Sequence, residues 1–280
     1  MTMTKPTPEP LAAGPDVPAL LISGLAKSFG DTAAVSDVEL TVRSGSFLGL
    51  VGPNGAGKTT LLSMAIGLLR PDRGTAFVLG EDVWSRSGSA SAKRLIGALP
   101  DGLALPQRLT GTELLTYLGL LRGMPEDVVR ERTAELLDVL DLAHAGRTLI
   151  ADYSTGMRKK IGLASALLHG PSVLVLDEPF EAVDPVSAAV VRAILAGFLA
   201  AGGTVVMSTH VMALVEQVCD HVAVMAHGRI LRAEHAWASF RLLSVSRPSS
   251  CRSRWPACCP RSPGPRLALA HGAGTIPARL

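Results

Sequence analysis

The chain has 280 residues, of which 48% are hydrophobic and 18% charged, enough apolar material for one large domain or two small ones. The net charge of +3 is unevenly distributed. Residues 241–280 hold seven of the 27 basic residues and none of the 24 acidic ones, so the remainder carries −4. This acidic body argues against a general nucleic-acid-binding surface. Four cysteines without a Cys-x-x-Cys spacing argue against a zinc site or a disulfide framework.

The sequence contains neither a signal peptide nor an apolar run long enough to span a membrane. Residues 1–18 are rich in Pro and Thr and lack an apolar segment, so we expect a disordered leader and no signal peptide. The longest apolar run, residues 193–207, is too short to span a bilayer and contains Gly202 and Gly203. We therefore expect a soluble or peripheral protein.

Short β-type segments dominate the first part of the chain, up to about residue 82. The predicted strands are residues 20–22, 38–42, 47–51 and 76–79. Residues 60–69 predict a helix between the last two strands. Residues 83–94 are rich in serine and predict a loop or a loose helix, and residues 95–99 predict a further strand.

From about residue 110 to residue 145 apolar residues recur at three- and four-residue spacing, which predicts helices. Pro125 begins a new helix within this region. The remaining predicted elements are a helix at 151–169, a strand at 173–176, a helix at 185–201, a strand at 204–208, a helix at 211–219 and a strand at 222–226. Alternating strands and helices predict an α/β fold whose parallel sheet is covered on both faces.

A glycine-rich loop joins the predicted strand 47–51 to the predicted helix 60–69. It reads Gly52, Pro53, Asn54, Gly55, Ala56, Gly57, Lys58, Thr59 and Thr60. This order of strand, loop and helix is typical of a P-loop, whose backbone N–H groups surround the phosphates of a nucleotide. In such a loop Lys58 can reach the β- and γ-phosphates, and the Thr59 hydroxyl can bind Mg²⁺.

Two acidic residues follow the apolar strand 173–176. Asp177 and Glu178 would emerge at the carboxyl end of the sheet, beside the P-loop. Asp177 suits Mg²⁺, usually through water, and Glu178 is placed to polarise an attacking water.

These motifs together resemble the nucleotide-binding domain of ABC transporters, over roughly residues 19–235. The family carries a Leu-Ser-Gly-Gly-Gln signature at the start of a helix, just before its Walker B strand, to which residues 173–178 correspond here. Here Ser154 and Gly156 are kept, while Tyr153, Thr155 and Met157 differ. This form looks like the one in ABC-2-type exporters. The basic residues at 158–160 follow, and we expect at least two of them to lie on a solvated helix face.

The resemblance implies further site residues. Phe29 matches the aromatic residue that stacks on adenine, and Asp184 matches a loop that communicates across a dimer. His210 matches the switch histidine that contacts the γ-phosphate. Asp101 departs from the family, which normally has a Gln there. Its carboxylate could still bind Mg²⁺, although it is shorter and charged.

The resemblance implies a P-loop NTPase core with a mostly parallel sheet, an antiparallel β subdomain and an inserted helical subdomain at about residues 101–165. It implies an ATPase with Glu178 and His210 as catalytic residues, ATP and Mg²⁺ as ligands, and Thr59, Asp177 and Asp101 as metal ligands. Each ATP would lie between the P-loop of one subunit and Ser154, Thr155 and Gly156 of another. The second subunit would be a copy of this chain or another ABC ATPase domain.

We therefore expect the ATPase subunit of an ABC exporter, peripheral on the cytoplasmic face of the membrane. It would bind a membrane-spanning permease and no nucleic acid. The alternatives are a soluble ABC-type ATPase not coupled to transport and a catalytically weak regulatory domain. The sequence does not identify the transported substrate.

The expected ATPase domain covers residues 19–243. Residues 244–280 are rich in Ser, Arg, Pro and Ala and contain no Lys, Asp or Glu. We expect a disordered, basic tail there. A frame-shifted translation or a membrane-surface tether would also produce such a composition.

Overall fold

The computed structural model describes residues 17–102 and 104–235. The predicted leader lies outside these residues except for positions 17 and 18, and the predicted tail at 244–280 lies wholly outside them. Within the described residues the strands are β1 Leu20–Phe29, β2 Thr32–Val42, β3 Phe47–Val51, β4 Arg73–Val78, β5 Glu81–Asp82, β6 Ile96–Leu99, β7 Val173–Asp177, β8 Thr204–Thr209, β9 His221–Ala226 and β10 Arg229–His235. The helices are α1 Lys58–Ala65, α2 Ser89–Leu95, α3 Gly111–Leu121, α4 Glu126–Val139, α5 Thr155–Leu167, α6 Pro185–Ala200 and α7 Met212–Val218.

The larger sheet has the strand order β10-β9-β3-β8-β7-β6, and all its neighbours are parallel except β10 and β9. Its central strands are apolar on both faces, as expected for a covered parallel sheet. Val173 and Val175 of β7 belong to the core on one face, and Leu174 and Leu176 belong to the core on the other. The predicted α/β class with a mostly parallel sheet is therefore confirmed.

The smaller sheet is antiparallel and has the order β2-β1-β4-β5. Helix α1 packs between the two sheets: its Leu61, Leu62 and Met64 are buried in the same core as Leu20 and Ile22 of β1. This packing places the start of α1, and hence the P-loop, where the two sheets meet.

The other face of the larger sheet is covered by α3 to α7. Helix α3 begins with a capping box in which the Thr110 hydroxyl accepts from the Glu113 N–H, while Glu113 accepts from the Thr110 N–H and hydroxyl. The hydrogen bond from the Thr110 N–H is the larger cause, and that from the Thr110 hydroxyl the smaller, of a Glu113 pKa below its ordinary value. Among the described residues no helix is both long and apolar enough to cross a membrane.

Several predicted bounds were wrong. β1 extends to Phe29, well beyond the predicted 20–22, because its pairing with β2 shifts register between Ile22 and Leu25, where Gly24 has φ +62°. This bulge breaks the period-two pattern on which the prediction relied. The predicted helix 151–169 begins only at Thr155, after a 3₁₀ turn at Ile150–Asp152 and two extended residues. β5 and β10 were not predicted.

Candidate active site

The P-loop lies between β3 and α1, and its glycines are required by its backbone. Gly55 and Gly57 have φ angles of +79° and +100°, which residues with a Cβ rarely adopt. At Gly57 a Cβ atom would lie 2.4 Å from the Ala34 carbonyl oxygen, and at Gly52 it would lie 2.2 Å from that of Met225. Gly57 precedes α1 without a side-chain cap, so the first N–H groups of the helix face the cleft without a capping side chain.

Lys58 is buried at the centre of this loop. Its Nζ donates to the carbonyl oxygens of Gly52, at 2.8 Å, and Pro53, at 3.3 Å. The same Nζ lies 3.6 Å from Glu178 Oε1. The ammonium is therefore already turned toward the interior of the loop, where phosphates would lie in a P-loop.

The two acidic residues at the end of β7 are joined through Ser208 of the neighbouring strand β8. The parallel register places Ser208 opposite Asp177, so that its hydroxyl donates to Asp177 Oδ1 and accepts from the Glu178 N–H at 3.0 Å. Asp177 is 4% exposed, so this hydrogen bond satisfies part of a buried carboxylate.

Glu178 has a constrained position. Its φ is +46°, in the left-handed region, and its side chain is 12% exposed. Its Oε1 lies 3.1 Å from Nδ1 of His210, the residue that follows β8. Glu178 thus contacts one group from the P-loop and one from the end of the next strand. A carboxylate held beside an imidazole at the edge of a cleft can orient a water molecule.

These residues share one cleft of about 490 Å³. Its walls are formed by Phe29, Ala34, Asn54, Gly55, Ala56, Gly57, Lys58, Thr59, Thr60, Asp101, Glu178, Glu181 and His210. Most of the predicted cofactor and catalytic residues therefore lie together. Asp177 lies behind the wall, which suits a metal ligand acting through water. Gly52 and Pro53 are not among the lining residues, and their carbonyl oxygens accept from Lys58 Nζ.

Phe29 forms an exposed part of this wall, at the end of β1. Its side chain is among the exposed large hydrophobic ones, at 53%. Lys27 Nζ lies 5.9 Å from the centre of its ring and 2.7 Å from Asp72 Oδ1. The hydrogen bond from Lys27, followed by that from the Ser28 N–H, lowers the pKa of Asp72. An exposed ring fixed by the strand before it can stack on a planar base.

The signature residues do not line the cleft of their own chain. Ser154 caps α5 by accepting from the Met157 N–H at 3.2 Å, and both Ser154 and Thr155 are exposed. Gly156 is buried against the start of α6, where a Cβ atom would lie 2.8 Å from Asp184 Oδ2. Asp184 in turn caps α6, and the N–H of Ser187 is the first cause of its lowered pKa. The exposed signature is thus free to contact another molecule.

The expectation that at least two of residues 158–160 lie on a solvated helix face was wrong. Only Arg158 is exposed, and it donates to the Ala151 carbonyl oxygen at 2.8 Å. Lys160 is 4% exposed and donates to the Asp141 carbonyl oxygen at 3.2 Å. Lys159 contacts Asp101 and Glu178. Both lysines reach oxygens of residues 19 positions away in the chain, which a helical pattern of charges does not reveal.

Sequence reasoning gave no role to Ser208, Glu181 or Lys159. Ser208 could have been found, because it is the last residue of the predicted strand 204–208 and lies beside Asp177 at the same edge of a parallel sheet. Glu181 lines the cleft after a turn in which its N–H donates to the Glu178 carbonyl oxygen at 3.2 Å. That turn carries no local sequence signal.

Comparisons with known proteins identify the family of this chain. A family model described as ABC transporter matches residues 35–181. The chain belongs to the ABC transporter family. The ABC relatives include the daunorubicin/doxorubicin resistance ATP-binding protein DrrA of Streptomyces peucetius, 39% identical over 76% of this chain and 64% of that protein. They also include the Nod factor export ATP-binding protein I of Rhizobium sp. (strain N33), 38% identical over 76% of this chain and 69% of that protein. The chain thus spans about two thirds of these relatives' lengths.

The fold is also that of solved ABC proteins. An ATP-binding subunit of an ABC transporter superposes with a TM-score of 0.73 at 27% identity, covering 80% of this chain and 93% of that one. The predicted core of an ABC ATPase domain, with an antiparallel sheet and a set of helices beside the mostly parallel sheet, is therefore confirmed.

Proposed function

We propose that this chain is the ATP-binding and ATP-hydrolysing subunit of an ABC exporter. The observation that carries the proposal is the single cleft in which Lys58 of the P-loop, Glu178 and His210 meet. The ABC relatives named for drug resistance and for Nod factor export support the direction of transport.

The nucleotide would be held mainly by the P-loop. Residues 54–60 line the cleft, and the start of α1 favours negative charge. Lys58 would exchange its two carbonyl partners for phosphate oxygens without leaving its place. Phe29, exposed at the rim, would stack on the adenine ring.

The residues present fit Mg²⁺. Thr59 lines the cleft and Asp177 is buried next to Glu178 of its wall, so the two offer an oxygen-only set of the kind that Mg²⁺ prefers. When bound, the ion would neutralise part of the phosphate charge. Asp101, also on the wall, is a third candidate ligand, but its carboxylate lies near Lys159.

Hydrolysis would depend on Glu178 and His210. Glu178 would orient the attacking water, and His210, at 3.1 Å from it, would hold the carboxylate and contact the terminal phosphate. The second half of the nucleotide site would come from another subunit, since this chain's Ser154, Thr155 and Gly156 do not line its own cleft.

The partners would be a second ABC ATPase domain and a membrane-spanning permease. We infer a place on the cytoplasmic face of the membrane, where the nucleotide is available. The permease would select the cargo, so the transported substrate is not defined by this chain.

The test is the Glu178→Gln variant. It keeps the size of the side chain but removes the charge that orients water, so ATP should still bind while turnover falls on the order of a hundredfold or more. Size-exclusion chromatography with and without Mg-ATP should show an ATP-dependent shift from monomer to dimer. Unchanged turnover in this variant would rule out the catalytic assignment. ATP binding without any dimer would rule out head-to-tail pairing by this chain alone.

A further inference from the structure

Lys159 connects three parts of the site. It lies in the second turn of α5, and its side chain is only 16% exposed. Its Nζ donates to the backbone carbonyl oxygen of Glu178 at 2.9 Å and lies 3.5 Å from Asp101 Oδ1. The Lys159 ammonium thus connects helix α5, which carries the signature, with Asp101 after β6 and with the backbone of Glu178.

The backbone of Glu178 needs such support. Its φ of +46° is a conformation that residues other than glycine adopt only where their surroundings hold them in it. On one side the Glu178 N–H donates to Ser208 Oγ. On the other its carbonyl oxygen accepts from Lys159 Nζ and from the Glu181 N–H. The peptide plane after Glu178 is therefore held by two donors, of which Lys159 is the one that comes from another element.

We propose that Lys159 is a positioning residue for Glu178, and that Asp101 holds the Lys159 ammonium in place. The inference rests on the proposed function, because it assigns Glu178 the catalytic role. Lys159 is not part of the cleft wall and so acts through the Glu178 backbone without touching the nucleotide. Asp101 is on the wall, so its carboxylate links the cleft to this support.

The charges explain why an aspartate suits position 101. A mostly buried ammonium is costly unless an opposite charge and hydrogen-bond acceptors accompany it. Here the acceptor is the Glu178 carbonyl oxygen and the opposite charge is Asp101, which is 47% exposed. An uncharged amide at position 101 could accept a hydrogen bond but would not neutralise the ammonium. The aspartate that stands at position 101 in place of the family's usual Gln thus balances the charge of Lys159.

The first test compares Lys159→Met with Arg158→Met. Both remove a cation that donates to a backbone carbonyl, but Arg158 donates to Ala151, away from Glu178. Steady-state ATP hydrolysis should show kcat reduced on the order of tenfold in Lys159→Met, the scale of one lost charged hydrogen bond, with KM for ATP nearly unchanged. Arg158→Met should match the wild-type chain. Lys159→Arg, which keeps a charged donor, should recover most of the loss.

The second test does not need turnover. Hydrogen–deuterium exchange of peptides covering residues 178–183 in the nucleotide-free protein should be faster in Lys159→Met and unchanged in Arg158→Met. Asp101→Asn, a change at a half-exposed position, should also accelerate hydrogen–deuterium exchange in residues 178–183. This variant replaces Lys159→Met in the test if Lys159→Met does not fold. Unchanged exchange in both variants overturns the inference. A wild-type chain without ATP hydrolysis refutes the proposed function instead, while the exchange comparison still decides whether Lys159 holds Glu178.

Discussion

The Ser208 hydroxyl supports both acidic residues at the end of β7, because it donates to Asp177 and accepts from the Glu178 N–H. Its position follows from strand register alone. Residues Lys58, Glu178 and His210 could be predicted from the sequence because each belongs to a motif of fixed spacing. Lys159 could not, since its partner Glu178 is 19 positions away in the chain and the two meet only in the fold. Ser208, 31 positions from Asp177, could be found only by placing the two strands side by side in the sheet.

Ser208→Ala should destabilise the protein. It would leave the buried Asp177 carboxylate without a donor and the Glu178 N–H without an acceptor, a cost of roughly 1–3 kcal/mol in the free energy of unfolding. Urea denaturation measures it. The matched control is Ser165→Ala, whose hydroxyl bonds only to the Ile161 carbonyl oxygen within α5. The control should change stability by less than about 0.5 kcal/mol. Equal effects of the two substitutions would contradict the role given to Ser208.

At the scale of elements, two hairpins use the same turn. Leu79 and Gly80 join β4 to β5, and His227 and Gly228 join β9 to β10, all four with positive φ. Such two-residue turns usually carry Asn-Gly or Asp-Gly, so neither hairpin was predicted from its Leu-Gly or His-Gly pair. The second turn also supports the P-loop, because the Gly228 N–H donates to the Ala56 carbonyl oxygen at 3.0 Å.

Gly228→Ala should therefore harm both stability and nucleotide binding. A Cβ atom there would lie 2.8 Å from the Ala34 carbonyl oxygen, whereas at Gly80 nothing lies within 4 Å. Gly80→Ala should cost only the left-handed conformation, about 1 kcal/mol, and Gly228→Ala about 1–2 kcal/mol more. Thermal unfolding and titration with a fluorescent ATP analogue measure the two effects. Unchanged ATP binding in Gly228→Ala would show that the P-loop does not depend on the second turn.

The end of α5 makes stability depend on pH. His169 Nε2 lies 3.0 Å from the Ile96 carbonyl oxygen of β6, and burial, then the charge of Arg122, lowers the His169 pKa from 6.5 to about 4. Between these values the unfolded chain binds a proton that the folded chain does not. Stability should thus fall as the pH falls from 6.5 to 4, by up to roughly 3 kcal/mol from this group.

Comparing Tm at pH 7 and pH 5 in His169→Gln and in the wild-type chain isolates that contribution. The His169→Gln variant should lose less of its Tm at pH 5. His144→Gln, at an exposed position, serves as the control and should follow the wild-type chain. Parallel losses in all three proteins would show that other groups set the acid sensitivity.

For the whole molecule, the main question is where the second half of each nucleotide site comes from. The alternation of strands and helices predicted the layered fold, and the motif order predicted one cleft. The family resemblance implied that the signature faces another subunit, but the residue pattern alone could not place it relative to the cleft, because its position depends on how α5 packs beside β6. The structure places Ser154 and Thr155 on the surface and outside the wall of the cleft.

A mixing experiment tests sharing between subunits. Lys58→Ala should disable a subunit's own P-loop, and Ser154→Arg should block its signature against a partner, so each variant alone should be inactive. Mixed dimers contain one intact P-loop facing one intact signature. If both proteins pair freely, about half of the dimers are mixed and each has one working site, so about a quarter of wild-type ATP hydrolysis should return. No recovery on mixing contradicts shared sites.

The pairing of Asp101 with Lys159 has an evolutionary consequence. A change of charge at one of the two positions would leave the other as an unbalanced, partly buried ion. The two positions should therefore change together across related chains: an acid at the first should accompany a basic residue at the second, and an amide at the first should accompany a neutral one. If the two positions vary independently in aligned exporter ATPases, an unbalanced charge at either position is tolerated and the pairing is not required.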